Sequence, residues 1–311
     1  MSTLGRMGLS PTRRQAIFEA LESVRATTDM AARREADPVG FVHRYADPQE
    51  QELVGLLAAG LAFGNVKTIR HKLADALERL GPRPKDTCGD AAGALARMRG
   101  FTHRVFVGDD VARLLVGARA VQRRDGSLGA HFGRAYGASG DLRVALGSMC
   151  NAIRDAGGLG VDAGGRRGPA HLLPDPAAGS ANKRMMLFLR WMIRPADGVD
   201  LGLWSLPTRI LICPVDTHIH KLAKNLGFTK REDTSFRTAQ EITASLALFD
   251  PEDPVKYDFA LCHLGMAQRC PSRRDPLRCR GCGVLPVCRH WTGRDRRASS
   301  AVRLLLTSAP R

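Results

Sequence analysis

Residues 47–82 read DPQEQELVGLLAAGLAFGNVKTIRHKLADALERLGP, and the order of polar caps and apolar stripes in them spells two helices. Asp47 is a helix-capping residue type, Pro48 is preset for the first helical position, and Glu50 stands three residues after the cap, where its carboxylate can reach back. An apolar run follows from Leu53 to Phe63, and Gly64-Asn65 interrupts it. Val66, Ile69, Leu73, Leu77 and Leu80 then stripe a second helix, which stops at Gly81-Pro82.

The same grammar recurs along the chain. Ser10-Pro11 opens a helix with Ile17, Leu21 and Val24 on one face, and helices are predicted over 109–123, 141–155, 183–194, 217–226, 238–248 and 254–266. Gly157–Gly168, GGLGVDAGGRRG, holds six glycines in twelve residues and reads as a flexible surface loop. With 5% aromatic residues and no internal repeat, the expectation is an all-α fold.

Forty-seven Lys and Arg against 31 Asp and Glu leave a net charge of +16, which attracts polyanions. Nucleic acid is the expected partner and membrane is not. No run approaches 18 uncharged apolar residues, and MSTLGRMGLS has no apolar core for a signal peptide. A reducing cytoplasm is therefore expected, where clustered cysteines bind metal more often than each other.

Of the eight cysteines, Cys88, Cys150, Cys213 and Cys262 are scattered, while Cys270, Cys279, Cys282 and Cys288 fall within 19 residues. The gaps of eight, two and five residues let four thiolates meet at one centre, either tetrahedral zinc or a cubane iron–sulfur cluster. The loop after the first cysteine, PSRRDPLR, carries Arg273, Arg274 and Arg278, candidates for phosphate contact. From Met266 onward eleven Arg face two Asp, a local net of +9, and Arg294–Arg311 reads as a solvated basic tail.

Upstream, Asp216 in Pro214-Val215-Asp216-Thr217-His218-Ile219 opens a helix, which by spacing alone makes it an N-cap. Gly179-Ser180-Ala181-Asn182-Lys183-Arg184 precedes MMLFLRWMI, and Lys183 alone is an ordinary basic residue at a helix start. Phe188 and Trp191, at helical spacing, read as core.

Together, VDTHI and the four cysteines that follow are similar to the endonuclease III branch of the helix-hairpin-helix glycosylases. In that branch a hairpin precedes a helix bearing the catalytic lysine. A Val-Asp-Thr-His segment carries the catalytic aspartate, and a four-cysteine loop binds a [4Fe–4S] cluster. The resemblance runs over residues 179–290 and more faintly over 48–82, where GLLAAGLAFGNVKTIRHKLADAL looks like the family's duplex wedge. The chain departs from the pattern in keeping only Gly179-Ser180 of the hairpin's Gly-x-Gly and in a first cysteine gap of eight residues instead of six. The 33-residue interval from Lys183 to Asp216 resembles that of archaeal 8-oxoguanine glycosylases. HRYADPQE, KRMMLFLRWMIR, DLGLW and DPVKYDFAL look like a bacterial family of unknown function in the same superfamily.

The resemblance implies a two-lobed helix-hairpin-helix glycosylase fold with a C-terminal iron–sulfur loop and a cleft between the lobes. Its parts would be a helix within 1–49 packing with the C-terminal lobe, a lobe over 50–193 ending in the Lys183 helix, an aspartate and iron–sulfur lobe over 194–290, and a tail over 291–311. Lys183 and Asp216 are then the catalytic pair, and Cys270, Cys279, Cys282 and Cys288 the ligands of a [4Fe–4S] cluster, with zinc second. Gly179, Ser180, Arg184, Arg273, Arg274 and Arg278 are the DNA contacts. The implied protein is a monomeric, cytoplasmic, nucleoid-associated DNA glycosylase, with or without lyase activity, acting on duplex DNA with a damaged base. By analogy an oxidised purine such as 8-oxoguanine leads, ahead of an oxidised pyrimidine. The alternatives are an iron–sulfur protein that binds DNA without cutting it and a zinc-stapled RNA-binding protein.

Overall fold

The computed structural model describes residues 9–161 and 163–292, and the fold is predominantly helical. In chain order the elements are α1 (Pro11–Thr27), α2 (Met30–Ala36), α3 (Val39–Val42), α4 (Pro48–Leu61), α5 (Val66–Leu80), α6 (Pro84–Thr87) and α7 (Ala91–Met98). A two-stranded hairpin, β1 (Thr102–His103) and β2 (Phe106–Val107), leads into α8 (Gly108–Asp125), α9 (Leu128–Ser139), α10 (Leu142–Gly157) and α11 (Gly168–Leu172). Then come α12 (Lys183–Ile193), α13 (Thr217–Leu226), α14 (Phe236–Leu246) and α15 (Asp258–Gln268). The chain divides into two units, one of residues 31–210 and one of the described residues up to 30 and from 211 onward. Residues 31–49 and 194–210 thus group with 50–193, and the tail from 293 lies outside the described residues.

In the unit of residues 31–210, α4 is buried from Leu53 to Leu61 on every side, as expected of a helix surrounded by others. Asp47 caps it, accepting from the Gln49 and Glu50 amides at 2.8 and 3.4 Å. The expected reciprocal reach of Glu50 does not occur. Its carboxylate is buried and accepts from the Lys85 amide at 3.0 Å, and burial raises its pKa. The last carbonyls of α4 have no partner within their own helix, and the residues that carry them are buried. Arg184 donates to Gly60 O at 2.8 Å, and His103 Nε2 bonds Leu61 O at 3.1 Å.

Glu52 is the second anchor of this helix. Buried, it accepts from the Trp204 indole at 2.7 Å, Gln122 at 2.8 Å and the amides of Leu128 and Gly129 at 2.9 and 3.0 Å. The last two are first-turn N–H groups of α9, so one carboxylate caps a helix 76 positions away in sequence. Helix α12 lies on α4, and a side chain at Gly55 would fall 2.8 Å from the Met192 methyl. The glycine-rich stretch runs from the end of α10 to α11, with Arg166 paired to buried Asp110 at 3.0 Å.

In the other unit, α1 is capped by Ser10, as expected, and buries Ile17, Leu21 and Val24. Glu22 on its flank accepts from the Tyr257 hydroxyl at 2.6 Å and pairs with Lys256 at 3.1 Å, and Lys256 also pairs with Asp250 at 2.9 Å. Among the described residues, no helix is long and apolar enough to cross a membrane.

Candidate functional site

Asp216 has extended backbone angles and caps α13, its Oδ1 accepting from the His218 and Ile219 amides at 2.9 and 2.8 Å. At the other end Gly227, at φ +89°, closes the helix in a left-handed turn that a side chain would strain. The cap leaves Oδ2 over, and this oxygen accepts from the Cys262 thiol of α15 at 3.4 Å. Helix α15 approaches closely because residue 265 is glycine, whose missing side chain would stand 3.0 Å from His218 Cβ. Just before the cap, the Cys213 amide donates to Thr243 at 2.9 Å, fixing the entry to α13.

Asn225, buried in the last turn of α13, reaches the cysteine loop. Its Nδ2 donates to Cys270 Sγ at 3.2 Å, its Oδ1 bonds His290 Nε2 at 3.1 Å, and its carbonyl accepts from the Arg289 amide at 2.8 Å. Cys279, Cys282 and Cys288 gather around a small core of Leu285 and Trp291. Burial pushes the Cys282 thiol up to about 11, and the thiols of Cys270, Cys279 and Cys288 add to the rise; Cys288 is raised for the same reasons. The sulfurs of Cys270 and Cys279 are thus near enough to Cys282 and Cys288 to oppose the ionisation of those two. Thiols that resist ionising together are stabilised as thiolates by a shared cation or cluster. The buried Trp291 indole N–H, packed with Cys288, has no hydrogen-bond partner among the described residues. An N–H donor left over in a cluster with Cys279, Cys282 and Cys288 fits a group that brings further acceptors, as an iron–sulfur cluster would. Among the described residues, no group of three or more His, Cys, Asp or Glu side chains is placed so that it could hold a metal ion.

The arginines of the loop fall into two kinds. Arg273 and Arg278 are exposed, Arg278 lying 3.8 Å from Asp275. Arg274, also exposed, donates through Nε to His290 O and places its guanidinium 6.0 Å from the Trp291 ring centroid, so part of it serves the loop.

In the other unit, Lys183 is the first residue of α12 and is half-buried. The preceding Asn182 sits in the left-handed region at φ +47° and makes no side-chain cap, so the first amides of α12 lack a capping side chain there. Gly179 and Ser180 are exposed, and nothing lies within 4 Å of where a Gly179 side chain would begin. Arg143 of α10 holds this loop by two bonds to Pro176 O, at 2.9 and 2.6 Å. The DNA-contact role expected of Arg184 is corrected. Its side chain is buried, its guanidinium is committed to Gly60 O and His171 O, and burial pulls its pKa down to about 10. Phe188 and Trp191 are fully buried core.

Lys183 and Asp216 belong to different units. Three residues of consequence carry no motif in the sequence: Cys262 on the aspartate, Asn225 on the first cysteine and Trp291 beside the last. The only trace is a polar or aromatic residue where helix or loop chemistry does not call for one. A family model described as "Protein of unknown function (DUF2400)" matches residues 37–267. No curated protein matches the chain.

Proposed function

The chain belongs to the DUF2400 family. From its sequence and the geometry of its site we propose that it is a DNA glycosylase of the helix-hairpin-helix type, carrying a [4Fe–4S] cluster on Cys270, Cys279, Cys282 and Cys288. The observation that carries the reading is the double anchoring of α13. At its start the helix orients Asp216, and at its end Asn225 bonds the first cysteine of the four. A carboxylate held this way suits a reaction in which positive charge develops on a sugar.

The reaction breaks the bond between deoxyribose C1′ and the base nitrogen, whose electron pair leaves with the base. Asp216 stabilises the positive charge left on the sugar. The neutral Lys183 amine attacks C1′ and loses a proton to water; the C1′–O4′ bond then breaks, O4′ taking up a proton, to give a Schiff base, and loss of a C2′ proton to water expels the 3′ phosphate. The target base must first leave the stack, at a cost of a few kcal/mol. Exposed Gly179 and Ser180 and the start of α12 offer N–H groups to a backbone phosphate. Bound to its four thiolates, the cluster supplies a rigid scaffold and a means of positioning DNA, with no part in bond breaking. Arg273 and Arg278 hold DNA electrostatically, in keeping with the +16 net charge. An oxidised purine, 8-oxoguanine first, is the favoured lesion, with oxidised pyrimidines next.

The test is a panel of duplexes, each with one modified base, incubated with protein and then treated with alkali, and in parallel with borohydride. Strand cleavage at one lesion supports the reading. Tight binding without base release on every duplex would instead favour a DNA-binding protein that does not cut, for which the capping role of Asp216 is sufficient explanation of that residue.

A further inference from the structure

Asn225 is an odd residue for its place. It is 3% exposed, near the end of a helix that buries Ile219, Leu222, Ala223 and Leu226 beside it, and Asn is a weaker helix former than the leucine that would fit there. Three of its bonds go to the cysteine loop. One reaches the sulfur of the first cysteine, at 3.2 Å, and two reach the residues just after the last, His290 at 3.1 Å and Arg289 at 2.8 Å. A single residue therefore holds both ends of the loop.

Of the two orientations the amide could take, one turns Nδ2 toward sulfur and the other turns Oδ1 toward it. A thiol sulfur is a weak acceptor and gains little from the amide, whereas a thiolate is charged and accepts only. With Cys270 as a thiolate, the orientation with Nδ2 on sulfur pairs donor with acceptor, and His290 then donates to Oδ1. The arrangement suits Cys270 as a ligand better than Cys270 as a free thiol.

We propose that Asn225 is a positioning residue for the four-thiolate cluster, its amide N–H donating to the Cys270 sulfur and raising the cluster's reduction potential. The inference rests on the iron–sulfur reading of the loop. A donor to a ligand sulfur stabilises the state with more negative charge, which is the reduced one, so its removal lowers the potential.

The experiment uses the full chain, with Asn225→Leu and Asn225→Asp beside the wild type. Leu approximates the shape and lacks the donor, while Asp keeps an acceptor for His290 and lacks the donor. Iron and acid-labile sulfide are assayed first, and the midpoint potential is then measured by film voltammetry, the electrode supplying the electron. Both loaded variants are expected at potentials below that of wild type, Asp lower than Leu because it adds a negative charge. Loaded variants with the wild-type potential would overturn the inference. So would loss of the cluster from both, which would make Asn225 scaffold alone. A wild-type protein lacking iron and sulfide overturns the reading of the loop itself, a result seen in the first assay and distinct from an unchanged potential.

Discussion

Asp216 accepts the Cys262 thiol at 3.4 Å through Oδ2, the oxygen that its helix cap leaves over. One carboxylate thus has a structural oxygen and a second one held by a weak donor, and the two duties are separable by substitution. Asn caps helices about as well as Asp, so Asp216→Asn should leave the thermal midpoint almost unchanged, whereas Asp216→Ala should cost about 1 kcal/mol. Base release tells a different story. Both variants lose the charge opposite the developing cation and should slow by orders of magnitude with little change in DNA affinity. Melting curves and single-turnover rates on the same preparations check this. A slow Asp216→Ala beside a fully active Asp216→Asn would assign the residue to the cap alone.

Arg184 predicts a loss of stability with no loss of binding. Its guanidinium satisfies Gly60 O at the end of α4 and also bonds His171 O. Hydrogen bonds to a charged group contribute about 1.5–3 kcal/mol each, and Arg184→Met also leaves two carbonyls orphaned. A destabilisation of about 3 kcal/mol is expected in urea unfolding, with the salt dependence of DNA binding unchanged. A flattened salt dependence in a stable Arg184→Met protein would return the residue to the DNA surface.

The exposed arginines should behave in the opposite way. Arg273→Ala and Arg278→Ala, side chains on the outside of the cysteine loop, should weaken binding to all duplexes alike. Each should also reduce the slope of log K against log salt, by about one unit for every phosphate no longer neutralised. Arg274→Ala should add a structural defect, because Nε holds His290 O beside Trp291. Its cluster should be lost faster under air than in the other two variants, as followed by visible absorbance. Equal slopes for all three variants and wild type would remove the loop from the DNA interface.

The acid side of the stability profile should be set in part by Glu22 and Asp250. Their hydrogen bonds and ion pairs with Lys256, and for Glu22 the Tyr257 hydroxyl, hold both carboxyls below their ordinary values against the opposing effect of burial. A carboxyl with a depressed folded-state pKa stabilises above its unfolded value and stops doing so as pH falls through the folded one. The contribution is therefore complete above about pH 5 and lost progressively below about pH 4. On the alkaline side Lys256 is raised, so its contribution is complete below its unfolded value near 10.5 and fades as pH climbs beyond it. Urea midpoints between about pH 3 and 7 should fall less steeply for Glu22→Gln than for wild type. Parallel profiles would show that the pair contributes nothing.

How much of this could be read from the chain depends on how far apart the partners are. The ends of α4 and α5 were legible because Asp47, Pro48, Asn65 and Gly81 act within one turn of themselves. Glu50 misleads for the complementary reason. Its spacing suits a capping box, but the amide it bonds belongs to Lys85, 35 positions on. Helix α9, LGAHFGRAYGAS, carries three glycines and no clear stripe, and its periodicity does not announce it. It is anchored by the Ser127 cap and the distant Glu52 carboxylate, information absent from its own residues. The four clustered cysteines and Asp216 stand out by spacing and type. Asn225, Cys262 and the burial of Arg184 do not, since each has meaning only through a partner 45, 46 or 124 positions away.

Lys183 decides the class of reaction. It heads α12, half-buried, behind an Asn182 that makes no side-chain cap. If it is the nucleophile, borohydride should trap a covalent protein–DNA adduct on the lesion duplex. Lys183→Gln should abolish both the adduct and strand nicking, because no other side chain replaces an amine in Schiff-base formation. Base release should fall with it in a bifunctional enzyme. A protein in which a water attacks C1′ would instead keep base release in Lys183→Gln and yield no adduct even as wild type. Lys183→Arg separates charge from nucleophilicity: it should bind DNA as wild type does and remain untrappable. Trapping that persists in Lys183→Gln would transfer the role to another amine, and peptide mapping of the adduct would identify it.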